Sequence, residues 1–94
     1  MAIYTFITDY QGGTYLTQKE ASDLRSACIQ WKEGLVIGGY IPRLEAKVLT
    51  EVFEDSIDEF PPQAIDTLRN VWLFHLLLGE EMMDVHIVQT DTHD

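Results

Sequence analysis

The stretch VWLFHLLLGEEMMDVHIV, residues 71–88, constrains the fold more than any other part of the sequence. Gly79 and Glu80 fit a two-residue turn of type II′, which has glycine first and joins two antiparallel strands. This register places an apolar set on one face of the hairpin: Trp72, Phe74, Leu76, Met83, Val85 and Ile87. A shift by one residue would mix polar and apolar side chains on both faces, so burial favours this pairing.

A second hairpin is predicted at the start of the sequence. Residues 2–10, AIYTFITDY, alternate and are rich in β-branched and aromatic types, which is typical of a strand. Gly12 and Gly13 can supply the positive φ that a tight turn into TYLTQ needs. The alternation sorts the side chains into two faces. One carries Ile3, Thr5, Ile7, Thr14 and Leu16, and the other carries Tyr4, Phe6, Thr8, Tyr10, Tyr15 and Thr17.

The segment TQKE at 17–20 has the pattern of a capping box, in which Thr17 caps a helix and Glu20 reaches back. Apolar residues then recur at helical spacing along one stripe: Ala21, Leu24, Cys28, Trp31 and Leu35. We therefore expect a first helix from about Gln18 to Glu33. Within that stripe the single cysteine and the tryptophan are expected to be core residues, as is Trp72 in the last hairpin.

A second helix is expected to begin at Pro42, which suits a first helical turn. Its predicted apolar stripe is Leu44, Val48, Leu49, Val52 and Phe53. Pro61 and Pro62 should end it. The following segment QAIDTLRN, 63–70, is expected to form a further helical turn.

The predicted element order is β-β-α-α-β-β in a single domain of residues 1–94, with 89–94 as a flexible tail. The simplest packing for this order is an α+β two-layer sandwich: a four-stranded antiparallel sheet with two helices on one face. Such a sheet leaves its other face uncovered.

Charge narrows the classes of partner. The chain has 16 acidic and 6 basic residues and a net charge of −10. Nucleic acids and anionic membranes are bound through Lys and Arg, so neither is an expected partner. A basic protein or a second copy of the chain fits better. One cysteine, no signal-peptide pattern and no apolar run long enough to span a membrane predict a cytoplasmic protein.

The last hairpin also carries the most suggestive polar group. Its register places His75 opposite Asp84, with His86 on the same face and diagonal to His75. Two histidines and a carboxylate could bind a first-row metal or act as an acid/base pair, which would make a small enzyme the alternative reading. Nothing beside them predicts a cleft, so we expect a cross-strand pair without metal or cofactor, and no catalytic residue.

The uncovered sheet face is the predicted binding surface. On the last hairpin it should present Leu73, Leu77 and Met82, beside Val71 and Val88. On the first hairpin we expect it to present Tyr4, Phe6, Tyr10 and Tyr15, unless the helices cover that side instead. Monomers seldom leave an apolar patch of more than a few hundred Å² exposed, and Tyr and Phe are common in interfaces.

Residues 4–31, YTFITDYQGGTYLTQKEASDLRSACIQW, resemble the N-terminal strand, glycine turn, strand and helix of HicB-type antitoxins. The PDLPG segment of that family has no counterpart in this sequence. With NVWLF and VHIVQT, the same region also resembles short bacterial proteins from toxin–immunity contexts. Both resemblances imply a protein that acts by protein–protein contact, of immunity or antitoxin type, rather than an enzyme.

Overall fold

A computed structural model describes residues 1–39, 41–42 and 44–91, and the side chain of Asp91 lies outside that description. Its element order is β1 Ala2–Tyr10, β2 Gly13–Ala21, α1 Leu24–Gly38, α2 Ala46–Glu59, β3 Gln63–Ala64, β4 Val71–Leu78 and β5 Glu81–Asp91. The strands form one antiparallel sheet in the order β2-β1-β5-β4-β3. The first and last long strands are therefore neighbours at its centre.

The predicted α+β character is right, but the predicted four-stranded sheet is wrong because the sheet has five strands. The extra strand, β3, follows the two prolines and pairs with Trp72 and Leu73 of β4. The Ile65 N–H donates to the Val71 carbonyl at 3.1 Å, which extends this short pairing. A left-handed backbone at Thr67 and at Asn70 then turns the chain, so 63–70 does not form the expected helical turn.

Both hairpins have two-residue turns. The last one has the predicted register, with Gly79 at φ 67° and His75 opposite Asp84. The first turns at Gln11 and Gly12, at φ 48° and 81°, rather than at the two glycines. Positive φ at both central residues is the requirement of a type I′ turn, which matches the twist of the strands. The predicted sorting of the first hairpin into two faces is confirmed.

The first helix begins later than predicted, because β2 continues through the supposed capping box to Ala21. Asp23 is the actual N-cap: its carboxylate accepts a 2.7 Å hydrogen bond from the Ser26 backbone N–H. That bond lowers the pKa of Asp23, with smaller contributions from the Ser26 hydroxyl and Arg25. The helix runs on to Gly38 and ends at Gly39 in the left-handed region.

Asp23→Ala is expected to lower the melting temperature by a few degrees, because one N–H of the first turn loses its acceptor. The pKa is lowered in the folded state, so the contribution is full above about pH 4 and is lost as the pH falls through the folded value. Thermal unfolding at pH 7 and pH 2.5 measures both effects. Ser22→Ala, at an exposed neighbour, is the control, and equal effects of the two variants would contradict the cap assignment.

The second helix begins at Ala46, so Pro42 lies before it and not in its first turn. It continues through the acidic segment to Glu59, and Phe60 ends it ahead of the prolines. Both helices pack on the same face of the sheet. Neither helix within the described residues is both long and apolar enough to cross a membrane.

Trp31 is the centre of the core between sheet and helices. Its ring stacks on Phe6 at 5.6 Å between centroids and meets the edge of Phe74 at 5.5 Å. Phe53 of α2 lies tilted against it at 6.3 Å. The indole N–H donates to the hydroxyl of Thr8 at 3.2 Å, which satisfies a polar group in an otherwise apolar layer. The predicted core role of Trp31 and Cys28 is confirmed, whereas Trp72 is only half-buried.

Candidate interaction surface

The face of the sheet turned away from the helices is the candidate functional surface. The strand registers place on it Thr14, Leu16, Gln18 and Glu20 of β2; Ile3, Thr5, Ile7 and Asp9 of β1; Met82, Asp84, His86, Val88 and Thr90 of β5; and Val71, Leu73, His75 and Leu77 of β4. We refer to these residues as the open face. All are half-buried or exposed, whereas the alternate positions on β1 are buried.

The correction to the predicted binding surface lies on the first hairpin. Tyr4, Phe6 and Tyr10 are buried, and Tyr15 packs against the same core, so the helices cover this side of the sheet. These aromatic residues fill the layer beneath the helices and do not form an outer surface. Ile3, Ile7 and Leu16 take their place on the open face.

The predicted residues of the last hairpin do lie on the open face. Leu77 is 53% exposed and Met82 is 49% exposed, and they sit opposite each other near the turn. Leu73 lies nearer the middle of the face, half-buried and paired with His86. Across the sheet from it is Leu16, which is 68% exposed.

An apolar row crosses the middle of the open face. The registers align Leu16 with Ile7, Ile7 with His86, and His86 with Leu73. Val88 and Val71 extend this row toward the end of the sheet away from the hairpin turns. The apolar side chains therefore form a continuous area over four strands, interrupted only by one imidazole.

A polar row crosses the same face nearer the hairpin turns. It consists of Thr14, Asp9, Asp84 and His75, each on the next strand. The two carboxylates lie on neighbouring strands, and each has its own partner: the Thr14 hydroxyl donates to Asp9 at 2.6 Å, and the His75 Nδ1 lies 2.5 Å from Asp84. The partners offset part of the repulsion between the two acids.

The structure brings His75 and Asp84 together but leaves His86 among apolar neighbours, Ile7 and Leu73. The pair itself is about half exposed, so its expected contribution to stability is small. Among the described residues no three His, Cys, Asp or Glu side chains form a group that could hold a metal ion. The cross-strand pair thus has the geometry of a surface contact.

The open face has no lysine or arginine on any of the four long strands. Its charged side chains are Asp9 and Asp84 near the turns and Glu20 at the opposite end. The centre between them is apolar. This arrangement, an apolar centre with polar or charged margins, is the anatomy of a protein–protein interface.

Sequence reasoning missed Ile3, Ile7 and Leu16 as members of this surface. They belong to an alternating pattern with apolar residues on both faces, so alternation alone does not identify the outer side. The size of the side chains on the opposite face could have identified the outer side. That face carries Tyr4, Phe6 and Tyr10, and large aromatic side chains fill the deeper layer of a small domain.

Comparison of the chain with models of known protein families, with curated proteins and with solved structures found no match.

Proposed function

We propose that the protein acts by binding a basic protein partner through the open face, in the manner of an immunity protein or antitoxin. The observation that carries the proposal is the composition of that face: an apolar centre, acidic ends and no basic side chain on its four long strands. The resemblance of residues 4–31 to HicB-type antitoxins supports the same class of function.

The size of the open face supports a specific contact. Four strands about 4.8 Å apart and about eight residues long span roughly 500 Å² in projection. Isolated apolar patches on monomers reach about 300–600 Å², and a standard interface buries about 800 Å² of accessible surface on each partner. The face is thus large enough to supply most of one side of a standard interface.

Charge favours a basic partner over a second copy of the chain. Two copies would bring net charges of −10 together, and their open faces carry no lysine or arginine to oppose Asp9, Asp84 and Glu20. A partner with basic residues around an apolar centre would be attracted at long range and would match both ends of the face. Such a complex should weaken as salt concentration rises.

Leu16→Glu and Leu77→Glu are expected to reduce binding of the partner at least tenfold, because the first places a charge in the apolar row and the second places one in the exposed pair of Leu77 and Met82. Both side chains are exposed in the isolated chain, so the fold should be unaffected. Affinity capture from source cells with the tagged chain identifies the partner. Calorimetry with the purified partner, at low and high salt, then measures affinity.

Ile37→Glu is the matched control, since it adds the same charge at a side chain that is 85% exposed and lies on α1. The proposal predicts a partner of positive net charge that is retained by wild type and by Ile37→Glu. Equal retention by all variants would contradict the open face as the binding surface. Light scattering that shows a dimer disrupted by Leu16→Glu would identify a second copy as the occupant instead.

A further inference from the structure

A separate cavity of about 220 Å³ lies on the helix side of the sheet, at the end where both hairpins turn. Its walls come from the first turn, the second turn and the start of α2: Tyr10, Gln11, Glu45, Val48, Leu78, Gly79 and Glu81. We refer to it as the turn cavity. It shares no residue with the open face.

Tyr10 is the buried polar side chain of the turn cavity. The residue is only 6% exposed, yet its side chain lines the cavity. Among the described residues its hydroxyl has no hydrogen-bond partner. The ring is buried, but the hydroxyl reaches accessible volume, so it is available to a ligand or water in the cavity.

Two carboxylates share the turn cavity with that hydroxyl. Glu45 stands at the N-cap of α2, where a carboxylate would normally accept from the free N–H groups, but its side chain makes no cap hydrogen bond. Glu81 enters from the first residue of β5. Neither forms an ion pair with a Lys or Arg within the described part of the chain.

The walls beside these groups are apolar. Val48 and Leu78 line the turn cavity on the side of the helix and on the side of the sheet. The volume is several times the about 30 Å³ that a water molecule occupies in the liquid. A ligand that fits must therefore carry positive charge at one end and an alkyl stem behind it.

We propose that the turn cavity binds a primary ammonium group on an alkyl stem, with Glu45, Glu81 and the Tyr10 oxygen as its three acceptors. An ammonium group has three N–H donors and no acceptor, which matches this set. The stem packs on Val48 and Leu78. The ammonium belongs either to a lysine side chain of a protein or to a free alkylamine.

A divalent metal ion fits the turn cavity less well. Ca²⁺ and Mg²⁺ take six or more oxygen ligands, some of them waters, and they leave no use for the apolar walls beside the two carboxylates. Burial and the charges of Glu81 and Glu45 raise the pKa of Tyr10, which keeps its proton on at neutral pH. The dipole of α2 places about half a positive charge at its N-terminus, which repels a cation. The carboxylates of Glu45 and Glu81 outweigh this repulsion.

Binding is tested with Nα-acetyl-lysine methylamide on the full chain labelled with ¹⁵N. The expected result is saturable movement of the backbone resonances of Gln11, Glu45, Val48 and Gly79, with a dissociation constant of about 1 mM. Nα-acetyl-norleucine methylamide keeps the four-carbon stem but lacks the ammonium group, and it should cause no such movement. Equal effects of the two compounds would overturn the proposal.

Glu45→Gln and Glu81→Gln are each expected to weaken binding about tenfold, and Tyr10→Phe to weaken it less. Glu59→Gln, at the other end of α2, makes the same change of net charge and should leave binding unchanged. Equal weakening by Glu59→Gln would show that the loss of affinity follows from net charge alone, and it would overturn the site.

Two further ligands distinguish the sources of the ammonium group. Butylammonium represents a free amine, and the peptide Gly-Gly-Lys-Gly-Gly represents a protein side chain. Tighter binding of the peptide, lost in Glu45→Gln, assigns the turn cavity to lysine recognition. Tighter binding of butylammonium assigns it to a free amine. Failure of both ligands would overturn the turn cavity as a site without touching the open face, because the two share no residue.

Discussion

Trp31→Ala should lower the free energy of unfolding by about 4 kcal/mol, the usual range for removing a fully buried aromatic side chain. The indole is 1% exposed and contacts aromatic rings from three other elements: Phe6 of β1, Phe53 of α2 and Phe74 of β4. A domain has only about 5–15 kcal/mol of stability in total, so this variant is expected to be close to unfolded at 37 °C. Urea denaturation followed by far-ultraviolet circular dichroism measures the change.

Controls separate the packing of Trp31 from its hydrogen bond. Trp31→Phe keeps an aromatic ring but removes the donor to Thr8, and should cost about half as much as the alanine change. Thr8→Val removes only the acceptor and should cost about 1–3 kcal/mol, because the buried indole N–H loses its partner. Ile37→Ala, at an exposed position, should cost close to nothing. A loss below about 2 kcal/mol for Trp31→Ala would contradict the core described above.

Cys28 should react with iodoacetamide on the order of 10³-fold more slowly at pH 8 in the folded protein than in urea. The thiol lies on the buried side of α1, and burial raises its pKa to about 12. Only the thiolate is nucleophilic, and an unfolded thiol with a pKa of about 8.5 is about one quarter ionised at pH 8. The chain has one cysteine, so intact mass measures the rate directly. A ratio under tenfold would contradict the burial of this side chain.

The same burial should make the protein less stable in alkali. The folded pKa of Cys28 lies above the unfolded one, so the stabilisation is full below about pH 8.5 and is lost as the pH rises toward 12. The expected slope is at most about 1.4 kcal/mol per pH unit. Urea unfolding at pH 7, 9 and 10 measures it. Cys28→Ala should be less stable at pH 7, but its free energy of unfolding should fall less steeply with pH. An unchanged slope would contradict Cys28 as the source of the pH dependence.

The hairpins could be predicted because their signals are local. Gly79 predicts the turn between β4 and β5, and only one register then places the apolar residues together on one face. The structure has that register. The faces of β1 and β2 follow from alternation alone, whichever residues make the turn. In each case a shift by one residue would have exposed a whole apolar face.

The start of α1 could not be predicted in the same way. The residues TQKE satisfy the pattern of a capping box, but they also continue the alternation of β2, and pairing with β1 decides in favour of the strand. Lys19 and Glu20 are paired with Tyr4 and Ile3, contacts that no local window contains. Strand β3 was missed for another reason: it has only two residues, too few to show the alternation that indicates a strand.

The identity of the open face depended on the helices. Both faces of β1 carry apolar residues, so the outer side follows only from where Trp31 and Phe53 pack. The residues of β4 and β5 on that face were predicted from their register, and those of β1 and β2 were assigned to the wrong side. The turn cavity combines two hairpin turns with a helix start, and their proximity is not visible in the sequence.

The adjacency of β1 and β5 determines how the chain must fold. The central ladder joins Ala2–Asp9 to residues 84–91, so the middle of the sheet cannot close until β5 has been synthesised. During synthesis the first hairpin and α1 leave the ribosome with one edge of β1 unpaired, and that edge is a template for wrong partners. Contacts of such sequence separation slow folding relative to helical domains of equal length. The sheet is therefore completed only after β5 has left the ribosome, and until then the unpaired edge of β1 can aggregate.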